Sequence, residues 1–127
     1  MGSETWHEAL DKLTPATQDL HRALQSVMEE FEAVDWYQQR FDSTPDPELK
    51  AILAHNRDEE KEHAAMLLEW LRRHDPGIHS AFETYLFKEG ELTDLEEQGK
   101  GAAASATSSS PALPERTFTV GSLKGER

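Results

Sequence analysis

Between residues 20 and 34 large apolar side chains recur at Leu20, Leu24, Val27, Phe31 and Val34, at steps of four and three. That spacing lays one apolar stripe along a helix. Thr14 followed by Pro15 predicts the helix start. The threonine hydroxyl caps a free backbone N–H, and proline in the first turn has no N–H to leave unpaired. The pattern predicts an end near Arg40 or Phe41, because Asp-Ser-Thr-Pro-Asp-Pro at 42–47 reads as a turn. Asp46 and Pro47 repeat the capping signal for a second helix. Its clearest apolar positions are Leu49, Ile52, Leu53, Leu67, Leu68 and Leu71, and it runs out at His74-Asp75-Pro76-Gly77. A shorter third helix is expected from Ile78 to residue 86 or 87, with an extension towards Glu97.

The composition shifts near Gly99. Residues 101–114, GAAASATSSSPALP, are small and uncharged and read as a flexible linker. The expected organisation is a helical domain at 1–98, a linker at 99–114 and a terminal segment at 115–127, where apolar residues return.

Two long helices joined by a short turn form an antiparallel hairpin. A hairpin has too little interior to stand alone. A second copy of the chain is the economical partner, giving a four-helix bundle by symmetry. The expected fold class is therefore all-α.

Charge narrows the chemistry. Acidic residues outnumber basic ones by 25 to 13 and the net charge is −12, which argues against a nucleic-acid partner. The absence of cysteine excludes disulfides, thiolate metal sites and cysteine nucleophiles. Any metal must be held by carboxylate and imidazole, a set that suits iron, manganese or zinc. No stretch approaches a membrane span and the start lacks a secretory pattern, so the chain is expected in the cytoplasm.

Glu30 lies in the stripe Val27, Glu30, Val34, Tyr37, Phe41. Glu60 and His63 lie in the stripe Leu53, Asn56, Glu60, His63, Leu67, Trp70. A carboxylate among apolar neighbours is costly unless something pairs with it, and a shared cation serves all three groups. Glu-x-x-His projects both side chains to one side of a helix. The pattern also occurs at Glu4 and His7, outside the periodic region, and taken alone the run 58–63 would equally describe a solvated charged patch. Glu30 in the facing stripe favours the metal. A carboxylate-bridged di-iron bundle uses a Glu from each of two helices and a Glu-x-x-His from each of the other two. This chain carries one of each, half a site, so ligand counting and size both point to a dimer.

Residues 26–40, SVMEEFEAVDWYQQR, and 47–73, PELKAILAHNRDEEKEHAAMLLEWLRR, resemble the encapsulated ferritins of bacteria and archaea. The similarity covers most of residues 15–98. The segment TVGSLKG at 119–125 resembles the peptide by which cargo docks inside encapsulin nanocompartments. The resemblance implies a half-length relative of ferritin whose dimers create a ferroxidase centre. It also implies assembly into a ring-shaped decamer without a storage cavity, with iron mineralised in the surrounding shell. Glu30, Glu60 and His63 match the family's iron ligands, and Tyr37 matches an aromatic residue beside the centre. Glu29, Glu32 and Trp36 match residues lining the route by which metal enters, where other divalent cations could also bind. On this chain those three form their own stripe, away from Glu30, which otherwise reads as a solvated acidic face. His55, Glu59 and Glu62 make a third one-sided cluster, where the family can bind metal on its outer surface.

The expected activity is oxidation of Fe(II) by dioxygen or peroxide. Phe118, Val120, Gly121 and Leu123 in the extended tail would engage the shell. The alternatives are a non-catalytic metal-binding or delivery protein with the same ligands, and a purely structural helical cargo.

Overall fold

The computed structural model describes residues 6–106, with 101–106 described by backbone alone. Its order is a 3-10 turn at Leu10–Lys12, then α1 (Pro15–Ser43), α2 (Pro47–His74), α3 (Pro76–Tyr85) and α4 (Leu92–Ala106). The chain divides into two compact units, Met1–Phe82 and Glu83–Arg127. No strand occurs among the described residues, and no helix there is long and apolar enough to cross a membrane. The all-α expectation holds.

Both long helices start where the capping signals place them. Thr14 Oγ1 accepts from the Thr17 N–H at 3.1 Å, and the Asp46 carboxylate accepts from the Leu49 N–H at 2.8 Å. Each has proline in its first turn. α1 continues to Ser43, a little beyond the expected end. The turn between α1 and α2 is clasped by Lys50, whose ammonium donates to the Phe41 carbonyl at 2.6 Å and lies 4.3 Å from the Phe41 ring. The segment before α1 is also tied down. The Gln18 amide donates to the carbonyls of Leu10 and Leu13, and Trp6 packs on the His21 ring at 3.9 Å.

α1 and α2 pack along a narrow seam. Ala23 and Val27 of α1 are buried, as are Leu53, Ala64 and Leu71 of α2. Leu20, Leu67, Leu68, Trp70 and Ile78 pack against the cluster of Ala23, Val27 and Leu71. The alanines bring the backbones close; Ala64 retains 1% exposure. The apolar stripe of α1 does not bury as a whole. Leu24, Met28 and Phe31 are 41%, 57% and 49% exposed, and Ile52 and Met66 of α2 are 51% and 65% exposed. Only six hydrophobic residues are buried among those described, and no large side chain is fully so. A single hairpin has one seam, and a stripe wider than that seam leaves its margins in water.

In the second unit, composition misled at Gly99. The span from Gly99 to Ala106, expected to open the linker, belongs to α4, where alanines favour helix. Within this unit a Cβ at position 99 would lie 2.6 Å from Thr84 Cγ2, so the close approach there requires glycine. The remainder of the expected linker and the segment 115–127 lie outside the described residues.

Leu71 has 2% exposure in the cluster it forms with Ala23 and Val27. Leu71→Ala is expected to cost about 2–4 kcal/mol, the range for a buried leucine truncated beside a cavity. Urea denaturation at fixed protein concentration measures it, and a loss below about 1 kcal/mol would show that the seam is not the core.

Candidate metal centre

Glu30 comes from the middle of α1, and Glu60 and His63 come from the middle of α2. Helical geometry puts Glu30 on one flank of the Ala23–Val27 line, and puts Leu24, Met28 and Phe31 on the other. The antiparallel packing of α2 then sets Glu60 and His63 beside Glu30. Glu60 is one turn from His63, so both reach the same point.

The three side chains converge. His63 Nδ1 lies 3.0 Å from Glu60 Oε1 and 3.6 Å from Glu30 Oε1. One donor atom from each falls within 4.8 Å of the others, the only such group of three among the described residues. The side chains of Glu30, Glu60 and His63 are 25%, 21% and 45% exposed, so the cluster sits at the margin of the seam and opens outward.

Protonation follows from crowding. A hydrogen bond to Glu60 holds the Glu30 carboxyl above its ordinary value, with partial burial and the Glu60 charge adding to it. Glu60 is held below its ordinary value by that same bond and by His63. The imidazole of His63 is raised, first by its hydrogen bond to Glu60 and then by the Glu30 charge, against desolvation. The Glu30 carboxyl and the His63 imidazole thus hold protons more firmly beside the Glu60 carboxylate, where a cation would do the same electrostatic work. Two hard oxygen donors and one imidazole nitrogen fit iron, manganese or zinc.

The other expected residues are distributed differently. Glu29, Glu32 and Trp36 are exposed along the outer side of α1 and join no three-residue ligand group among those described. Trp36 and Tyr37 share one cation: the Arg40 guanidinium lies 5.8 Å and 5.7 Å from their ring centres. Tyr37 is half-buried on the Glu30 flank. His55 and Glu59 do meet, at 3.6 Å, and the second Glu59 oxygen stands 4.0 Å from His63 Nε2. Glu59 therefore links the outer cluster to the inner one. Glu62 is exposed and is not drawn in. Phe118, Val120, Gly121 and Leu123 lie outside the described residues.

Periodicity did not single out Arg57. Its side chain is 17% exposed, donates to Gln38 Oε1 at 2.9 Å across the seam, pairs with Asp58, and lies 5.5 Å from the Phe41 ring. A largely buried guanidinium one turn before Glu60 fixes the register of α2 against α1. The available signal was its i−3 position relative to Glu60, which puts a charge on the seam side of α2.

The helical hairpin and its Glu–Glu–His cluster define a ferritin-like protein. The chain belongs to the EncFtn-like family, whose model matches residues 5–89. It is 54% identical to the Encapsulated ferritin-like protein of Rhodospirillum rubrum, over 98% of this chain and 91% of that one. It is 34% identical to the Encapsulin nanocompartment cargo protein EncC of Myxococcus xanthus, over 84% of this chain and 85% of that one. Among solved structures, the crystal structure of protein NE0167 from Nitrosomonas europaea superposes with a TM-score of 0.67 at 55% identity, covering 68% of this chain and 96% of that one.

The protonation state gives a sign. Glu30 and His63 both have raised values, so their contribution to the metal-free hairpin is present in full below their ordinary values and is lost as pH rises through the raised ones. A cation bound there displaces those protons. Divalent metal affinity is expected to rise between about pH 6 and 8 with net proton release. Calorimetry in buffers of different ionisation enthalpy measures this, and binding without proton release would contradict the assignment.

Proposed function

We propose that this protein is a ferroxidase that oxidises Fe(II) to Fe(III) at a di-iron centre shared by two copies of the chain. The observation that carries the reading is the convergence of Glu30, Glu60 and His63 on one point at the exposed margin of the seam. One chain offers three ligands there, too few for a closed metal pair. A twofold axis beside the cluster would bring four carboxylates and two imidazoles together. Exposed Ile52 and Met66 lie on the flank that carries His63 and supply apolar surface for that contact. Leu24, Met28 and Phe31 remain on the opposite flank, where a further copy would cover them. Two different twofold contacts on one chain close into a ring, in keeping with a decamer, or propagate as a filament.

In this reading each Fe(II) passes one electron to dioxygen or peroxide. Glu60 and Glu30 supply hard oxygen donors that favour Fe(III) over Fe(II), and His63 completes each ion's set. Tyr37 lies on the same flank as Glu30 and borders the centre. Glu29, Glu32 and Trp36 guide iron, and other divalent cations, along the outer side of α1. Glu59, between His55 and His63, extends the ligand path to the outer surface. Oxidised iron leaves for mineral growth outside the ring, which has no cavity of its own.

The names of the relatives support a cargo role. Residues 115–127 would dock the protein inside an encapsulin compartment in the cytoplasm, with Phe118, Val120 and Leu123 as apolar anchors and Gly121 as the bend. The segment before them would raise the local enzyme concentration at the shell.

Glu60→Ala and His63→Ala are each expected to lower the initial rate of Fe(II) oxidation in stopped flow by on the order of 100-fold or more while keeping helical content, because each removes a ligand to both metals. Binding of Fe(II) by the unaltered protein without turnover would instead identify a delivery protein. Deleting 115–127 is expected to leave the oxidation rate unchanged and abolish co-purification with the shell; retained loading would refute the docking role.

A further inference from the structure

The turn between α3 and α4 carries an unusual residue. Phe87 has φ of 57°, the one non-glycine positive φ among the described residues, and its side chain is fully exposed. The left-handed conformation costs a non-glycine residue roughly 1 kcal/mol, and leaving a phenylalanine in water forfeits about 2 kcal/mol of burial. Glycine at this position would avoid both costs. Leu86 on the same turn and Leu92 at the start of α4 are 43% and 63% exposed. Lys88 reaches back to the Glu83 carbonyl, which fixes the turn and leaves Phe87 projecting. Glu89 and Glu91 follow, on either side of Gly90.

The outer side of α2 carries a groove lined by Ala65, Met66, Glu69, Trp70, Arg73 and His74. Its apolar floor is Met66, 65% exposed, and Trp70, whose ring stacks on His74 at 3.9 Å. Its rim carries the basic residues Arg73 and His74, from the last turn of α2. Glu69 bonds to Arg72 and Arg73 and sets their guanidinium groups, and its carboxylate is held down to about 2, first by the bond to Arg72. The groove opens at Met66, one turn beyond His63, so it continues the face that the proposed dimer needs a second copy to cover.

We propose that Phe87 of one copy seats in the Met66–Trp70 groove of a second copy. The exposed ring would fill the apolar floor, and Glu89 and Glu91 would face the basic rim. A knob and a groove at different places on one chain make a contact between copies that both can exchange in a dimer. The proposal takes its second copy from the dimer inferred above, but it does not depend on iron chemistry.

The natural chain has no cysteine, so engineered thiols report without background. Full-length F87C and A65C chains, mixed in equal amounts and oxidised, are expected to give a disulfide joining one chain of each kind, with little product from either alone. F87D is expected to lower the self-association constant on the order of tenfold or more by sedimentation, as for an aromatic anchor, while helical content stays unchanged. Charge reversal at Arg73 is expected to reduce the mixed cross-link, with recovery when Glu89 and Glu91 are made basic. F87C linking mainly to itself, or F87D associating within about twofold of the unaltered chain, would overturn the proposal. Loss of iron oxidation alone would leave the cross-link intact, and so would count against the ferroxidase reading and not against this contact.

Discussion

Repulsion between Glu30 and Glu60 is the constraint on which the rest of the molecule turns. Two carboxyls from facing helices share a hydrogen bond in a half-covered position, with one imidazole beside them. An apolar pair at these positions would widen the buried seam. The hairpin instead carries groups that are satisfied only by protons, by His63 or by a cation. Placing them at the margin of the seam lets solvent reach them in a single chain and lets a second chain enclose them.

The narrow core follows the same logic. Ala23 and Ala64 draw the helices together, while Leu24, Met28, Phe31, Ile52 and Met66 stay outside. Burying those five completely would contribute on the order of 10 kcal/mol, an upper figure because chain ordering opposes it. A second copy covering these side chains would recover that burial. In the proposed dimer, association would also supply the missing half of the ligand set, so stability and chemistry would depend on the same contact.

Much of this was legible in the sequence. Thr14-Pro15 and Asp46-Pro47 located both long helices because capping is a local interaction. Glu30, Glu60 and His63 could be brought together from spacing because a two-helix hairpin has few registers. The division of α1's apolar stripe was less legible, since periodicity says which residues share a face and not how wide the packed seam is. Leu24 and Phe31 look like core from their spacing, yet they are exposed because α2 covers only the Val27 side. Arg57 was hidden in a charged run, and its burial depends on Gln38 and Phe41 across the seam. Alanines in an Ala-Ser stretch concealed the continuation of α4 to Ala106.

In the proposed dimer, two chains would hold two irons jointly through Glu30, Glu60 and His63. Anomalous diffraction at the iron edge, from crystals soaked anaerobically in Fe(II), tests it most directly. A pair of irons on either side of a twofold axis, about 3.5–4 Å apart, with ligands from both copies, is the expected result. A single iron held within one chain, or iron bound only along Glu29, Glu32 and Trp36, would contradict it.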